Sequence, residues 1–260
     1  MTPVGTLIVF IHGICGSGAQ MASLAAGTAR AGEDTLLLTL PGHGGDTDAF
    51  VRAVPPQWRD AVDTVVRENR ERYRRVVLVG HSLGALLAFG AAARGGVDGI
   101  VALGTPMGMR TGWFQIRMGL RVALGNPCRD DPVVRVYREA RGVTVRGAWD
   151  YLRWLRVYVR LLREVGRTRR LLGDISCPIL LIQSDRDEAV SRRSAERIAG
   201  ALRGPVRIVR LPRSRHAWTE AADKEIRDRA IREFIDGLGG TGDGSQAEGS
   251  TQFSEKTSTV

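Results

Sequence analysis

The chain has 260 residues, 43% of them hydrophobic, and a formal net charge of +10. That length suits one α/β domain with a full core and a small insertion, and no run of about 18 uncharged apolar residues is present to span a membrane. Cys15, Cys128 and Cys177 are scattered, show no metal-ligand spacing and do not suggest a disulfide framework.

The N-terminus passes straight into Leu7-Ile8-Val9-Phe10-Ile11, a run that reads as a buried strand over residues 6–11 rather than as a leader. With no disulfide framework suggested, a cytoplasmic location is the default expectation. His12-Gly13-Ile14-Cys15-Gly16-Ser17-Gly18 follows as a glycine-rich loop, then a helix from about Ala19 to Ala31. Thr35 to Leu40 reads as a second buried strand, ended by Pro41-Gly42-His43-Gly44. Pro55-Pro56 opens a helix that continues to about Tyr73, proline being tolerated in a first turn.

Val76-Val77-Leu78-Val79 leads into Gly80-His81-Ser82-Leu83-Gly84 and a small-residue helix to about Ala93. This is G-x-S-x-G in the strand–turn–helix setting that its chemistry requires. A serine hydroxyl is a weak nucleophile until a base takes its proton. A tight turn exposes Ser82 at the carboxyl edge of a sheet, and the following helix aims its first amides at the same point. Gly99 to Leu103 is a fourth strand.

Strands alternating with helices predict a parallel sheet with right-handed crossovers, whose ligands bind beyond the carboxyl ends of the strands. The alternation breaks near Met107. Residues 107–172 read as a helical cap insertion between core segments 1–106 and 173–238. Within it, Tyr151, Leu155, Tyr158, Leu162 and Val165 are expected on one helical face and Arg153, Arg156, Arg160, Arg163 and Arg167 on another. A solvated face is the plain reading of those arginines; weak contact with an anionic membrane is the sharper one.

The α/β pattern resumes at Pro178 to Gln183, with Asp185 and Asp187 just after it and a helix over about 191–202. Val206 to Leu211 is the last strand, His216 lies in the loop beyond it, and a closing helix spans about Glu220 to Leu238. Residues 239–260 are expected to be a disordered tail. The positive charge is almost wholly arginine, no nucleic-acid motif accompanies it, and no nucleic-acid partner is expected.

Four histidines are candidates for the base. His81 lies inside the serine turn and is expected to point away from the serine. His12 and His43 read as structural. His216, at the carboxyl end of the last strand, remains. Its imidazole needs an acid to fix its tautomer, and Asp185 and Asp187 both sit at a strand end. The order Ser82, Asp187, His216 matches that of α/β-hydrolases.

His12-Gly13, Leu40-Pro41-Gly42-His43-Gly44, Gly80-His81-Ser82-Leu83-Gly84, Asp187 three residues before Val190, and His216 together resemble the α/β-hydrolase superfamily, and within it the small bacterial carboxylesterases and monoacylglycerol lipases. The resemblance covers roughly residues 6–236. It implies a mostly parallel sheet flanked by helices with a helical cap, and Asp187 rather than Asp185 as the acid. It also implies an oxyanion hole from the backbone amides of Ile14 and Leu83, no cofactor or metal, and a small acyl ester as substrate. Gly-His-Ser-Leu-Gly-Ala is also similar to acyl thioesterases, and a thioesterase or peptidase on the same triad is the alternative. A ligand-binding protein that kept the fold without turnover is the third reading.

Overall fold

The computed structural model describes residues 3–108 and 142–239. Six parallel strands form one sheet: β1 (Thr6–Ile11), β2 (Glu33–Leu38), β3 (Arg75–His81), β4 (Gly99–Leu103), β5 (Ile179–Ser184) and β6 (Val206–Leu211), in the order β2-β1-β3-β4-β5-β6. The order reverses at β1, so the ends of β1, β3 and β4 lie side by side at the centre.

The central strands read as continuous apolar runs because both of their faces are covered. Successive side chains alternate between two cores. Leu7, Val9, Ile11 and Leu78 pack on one face under α3 (Pro55–Asn69) and α4 (Leu83–Ala92). Ile8, Phe10, Val77 and Val79 pack on the other, under α1 (Ala22–Thr28) and the closing helix, α7 (Ala221–Gly237).

Two expectations shift here. The segment read as a buried strand from Thr35 to Leu40 is an edge strand, Glu33–Leu38, with exposed and half-buried residues in turn. Among the described residues it has β1 as its one neighbour, so Asp34 and Leu37 are exposed while Leu40 is buried in the loop beyond. The helix expected from Ala19 is a 3-10 turn, Gly18–Met21, followed by α1, which ends at Thr28. A further short helix, α2 (Thr47–Arg52), is capped by Asp46, whose Oδ1 accepts the Ala49 amide at 2.9 Å.

Between β4 and β5 stands α5 (Ala148–Leu171). It packs across α4 and against α2. That explains the near-absence of polar residues in α4, which is covered by the sheet on one side and by α5 on the other. The buried face of α5 carries Trp154, Val157, Leu161 and Val165, with Leu155 and Leu162 exposed. The observed inner face is thus rotated by about a quarter turn from the expected one. Polar ties fix it there: Trp154 Nε1 donates to Thr47 Oγ1 at 3.2 Å, Arg160 donates to the Val51 and Ala53 carbonyls at 2.7 Å, and Arg153 pairs with Asp48 at 2.5 Å. Arg59 of α3 pairs with Glu164. Arg153 and Arg160 are therefore anchors, whereas Arg156, Arg163 and Arg167 are exposed. Residues 109–141 of the insertion, and the tail beyond Gly239, lie outside the described residues. The short helix expected over 191–202 is α6 (Ser194–Ala199).

Candidate active site

Ser82 joins β3 to α4 with φ 52° and ψ −108°, a left-handed conformation that non-glycine residues rarely adopt. Such a residue costs about 1–3 kcal/mol and persists where its surroundings over-determine it. Here the Ser82 amide donates to the Leu103 carbonyl at 2.9 Å, tying the turn to the end of β4. A Cβ on Gly84 would collide with the Ile11 and His12 carbonyls, so only glycine lets the first turn of α4 approach β1 this closely. Leu83 follows Ser82 as the first residue of α4, fully buried.

The loop after β1 lies directly beside the serine. A Cβ on Gly13 would stand 3.4 Å from Ser82 Cβ and 2.8 Å from His81 Nδ1. Ile14 is next, then Cys15 in a left-handed conformation (φ 66°). The Cys15 carbonyl accepts the Gly142 amide at 2.7 Å, and its Sγ lies 3.9 Å from the Tyr158 hydroxyl of α5. Both contacts fasten the residue that follows Ile14.

The other two side chains come from the far half of the sheet. Asp187, after β5, is fully buried and accepts the Ala189 and Val190 amides on Oδ1 at 2.9 and 2.7 Å. His216, after β6, donates from Nδ1 to Asp187 Oδ2 at 2.9 Å. The structure therefore brings Asp187 to His216, while Asp185 turns to the Arg210 and Arg192 guanidinium groups. A Cβ on Gly104, one residue beyond the carbonyl that holds Ser82, would lie 3.2 Å from His216 Nδ1, so the His216 ring and the serine turn both adjoin the end of β4.

The His216 loop is clamped from below. Ser214 Oγ donates to Asp223 Oδ2 at 2.6 Å, the Arg213 amide donates to the same oxygen at 2.8 Å, and the His216 amide donates to Glu188 at 3.3 Å. Burial by itself would lower the His216 pKa, but the Asp187 charge and hydrogen bond, with Glu188, hold it above the ordinary value. Burial would raise Asp187, yet His216 and the two amides hold it below its ordinary value. With Nδ1–H committed to Asp187, the Nε2 lone pair is the basic position of the ring.

His81, next to the serine, turns its ring toward the His216 loop. Its Nε2–H donates to the His216 carbonyl at 2.9 Å, and the two rings lie 4.9 Å apart. It buttresses His216 from behind, a contact between distant loops that no local pattern announces. Burial, aided by the charge of His216, lowers its pKa to about 4. His12 Nε2 accepts the Leu40 amide at 3.0 Å, and the His43 ring packs tilted against His12 and edge-on to Phe50 and Trp58. Among the described residues, no cluster of three His, Cys, Asp or Glu side chains stands close enough to hold a metal ion.

The sequence profile of the Alpha/beta hydrolase family matches residues 8–229. The chain belongs to the α/β-hydrolase family. This α/β-hydrolase is similar to the thermostable monoacylglycerol lipase of Bacillus sp. (strain H-257), at 26% identity over 241 residues and 90% of each chain. Among solved structures it resembles one from work on LipS and LipT, two metagenome-derived lipolytic enzymes. The TM-score is 0.68 and the identity 22%, covering 91% of this chain and 96% of the other. The monoacylglycerol lipase of Paleococcus ferrophilus aligns with a TM-score of 0.65 at 18% identity over 91% and 96%. At those identities the two structures speak to the fold of this α/β-hydrolase, not to its substrate.

Proposed function

We propose that this α/β-hydrolase is a serine hydrolase that cleaves carboxylic esters through an acyl-enzyme on Ser82, with small acyl esters of the carboxylesterase or monoacylglycerol lipase kind as substrates. The observation that carries the reading is the His216 Nδ1 to Asp187 Oδ2 bond of 2.9 Å beside a serine held at φ 52°. Ser82 Oγ attacks the ester carbonyl as His216 Nε2 takes its proton. Asp187 keeps the imidazole in the required tautomer and offsets the charge it gains. The amides of Ile14 and Leu83, the second at the N-terminus of α4, receive the oxyanion. The alkoxide departs with the proton from His216, leaving the acyl group on Ser82. His216 then draws a proton from water, hydroxide adds to the acyl carbon, and the acid leaves as Oγ regains its proton. In this reading residues 107–172 form a cap over a core of 1–106 and 173–238, with α5 as its C-terminal part.

A fluorophosphonate probe and a series of p-nitrophenyl esters test this. Wild-type protein is expected to be labelled and to turn over esters, and Ser82→Ala to lose both, with turnover falling by about 10⁴-fold or more. Labelling that survives Ser82→Ala overturns the assignment. A kcat/KM that favours an acyl-CoA over the matched oxygen ester moves the substrate class to thioesters and leaves the acyl-enzyme in place.

A further inference from the structure

The outward side of α5 is unusual for a helix packed on a globular core. Leu152, Leu155, Val159 and Leu162 are 63%, 61%, 41% and 52% exposed, and Trp149 at its start is 71% exposed. Single exposed apolar residues need no explanation, but a continuous ridge of them marks an interaction surface. At 100° per residue the four aliphatic side chains fall within a sector about 80° wide. Arg156, Arg163 and Arg167, all exposed, fall in the adjoining sector of about 40°. The inner face is already occupied by Trp154, Val157 and Leu161. The outer face is thus a second amphipathic surface on one helix, split lengthwise into an apolar strip and a basic strip.

We propose that this face of α5 lies on an anionic lipid surface, the aliphatic strip in the acyl boundary and Arg156, Arg163 and Arg167 among the headgroups. An apolar face flanked by arginine, with a tryptophan at one end, is the composition of helices that lie in the interface plane. Charge decides between occupants. A second copy of the chain would present the same basic strip, and the preceding segment, 109–141, holds seven arginines against three acidic residues. An anionic surface complements that charge, and the chain as a whole carries +10. No described helix is long and apolar enough to cross a membrane, so the contact is peripheral. Tyr158, on the flank of the same helix, touches Cys15 in the loop that carries Ile14. A lipid-bound α5 therefore holds that loop about one helix diameter, roughly 10 Å, from the interface.

The test is sedimentation of full-length Ser82→Ala with vesicles of pure phosphatidylcholine or of phosphatidylcholine and phosphatidylglycerol at 7:3, in low and high salt. Binding needs no turnover, so its outcome is independent of the esterase reading. Recovery with anionic vesicles is expected to exceed that with neutral ones at least tenfold in affinity and to fall as salt rises. Arg156→Gln/Arg163→Gln/Arg167→Gln is expected to weaken it about a hundredfold. Leu155→Ser/Leu162→Ser is expected to abolish it with an unchanged melting temperature, since both side chains are exposed. Equal recovery with the two vesicle types overturns the proposal, as does binding that neither variant weakens. A dimer by light scattering that Leu155→Ser/Leu162→Ser disperses also overturns it, by assigning the strip to a second copy.

Discussion

Three buried histidines make acid the most informative perturbation of this fold. Burial lowers the imidazoles of His12 and His81 to about 4, and burial with the neighbouring His12 lowers His43 to about 3. An unfolded chain returns all three to about 6.5. Each ring is therefore neutral in the fold and takes up a proton only on unfolding. Its contribution to stability is fully present above about pH 6.5 and is lost as pH falls toward the folded value. At pH 5 each ring favours the unfolded state by about 2 kcal/mol, and the three together by about 6 kcal/mol. That rivals the whole stability of an ordinary domain, about 5–15 kcal/mol. His216 works in the opposite sense. Its raised pKa contributes stability that is present below about 6.5 and fades as pH rises through the folded value, so it returns part of the loss.

Urea titrations followed by the fluorescence of buried Trp58 and Trp154 measure the effect at pH 7.5 and pH 5.0. A fall of several kcal/mol is expected, and in His43→Gln the difference between the two pH values should shrink by about 2 kcal/mol. A wild-type difference below about 2 kcal/mol would mean that fewer than one proton is taken up, and the account of these rings as dry and neutral would be wrong.

Two further substitutions probe the site and its support. Gly13→Ala places a Cβ 2.8 Å from His81 Nδ1 and 3.4 Å from Ser82 Cβ, so the loop carrying Ile14 has to shift. On the proposed mechanism ester turnover should fall about 10²-fold with KM little changed, and a kcat within twofold of wild type would refute Ile14 as an oxyanion donor. Arg59→Ala strands the Glu164 carboxylate, whose side chain is 6% exposed. A loss of about 3 kcal/mol is expected by chemical denaturation, most of it restored when Glu164→Gln is added; equal losses in the single and double variants would contradict this.

What could be read in the residue order was whatever local chemistry dictates. The Val76–Val79 run, the glycines around Ser82 and the small-residue helix after it each agree with a strand–turn–helix, and β1, β4 and β6 fall where their apolar runs lie. The edge position of β2 was not legible in that way: Leu36 to Leu40 looks as buried as β1, and only the sheet order leaves it with one neighbour. The inner face of α5 was ambiguous for a related reason. The helix is apolar on two sides, and the choice between them is made by Thr47, Val51 and Arg59, far away in the chain. Asp46 was a visible cap before Thr47, and α2 could have been found from it. Asp187 and Asp185 are indistinguishable as loop carboxylates until the fold puts Arg210 beside one and His216 beside the other.

The seam between β4 and β5 has a bearing on synthesis at the ribosome. Ser82 and its turn are complete once the chain has emerged past Leu103, but Asp187 and His216 reach them only when Ile100 to Leu103 pair with Ile179 to Ile182. Under the proposed mechanism, a nascent chain therefore carries Ser82 in its positive-φ turn without the base that His216 supplies. On the proposed acyl-enzyme mechanism, reactivity would switch on only when β5 and β6 dock, and a half-made or truncated product would be chemically silent.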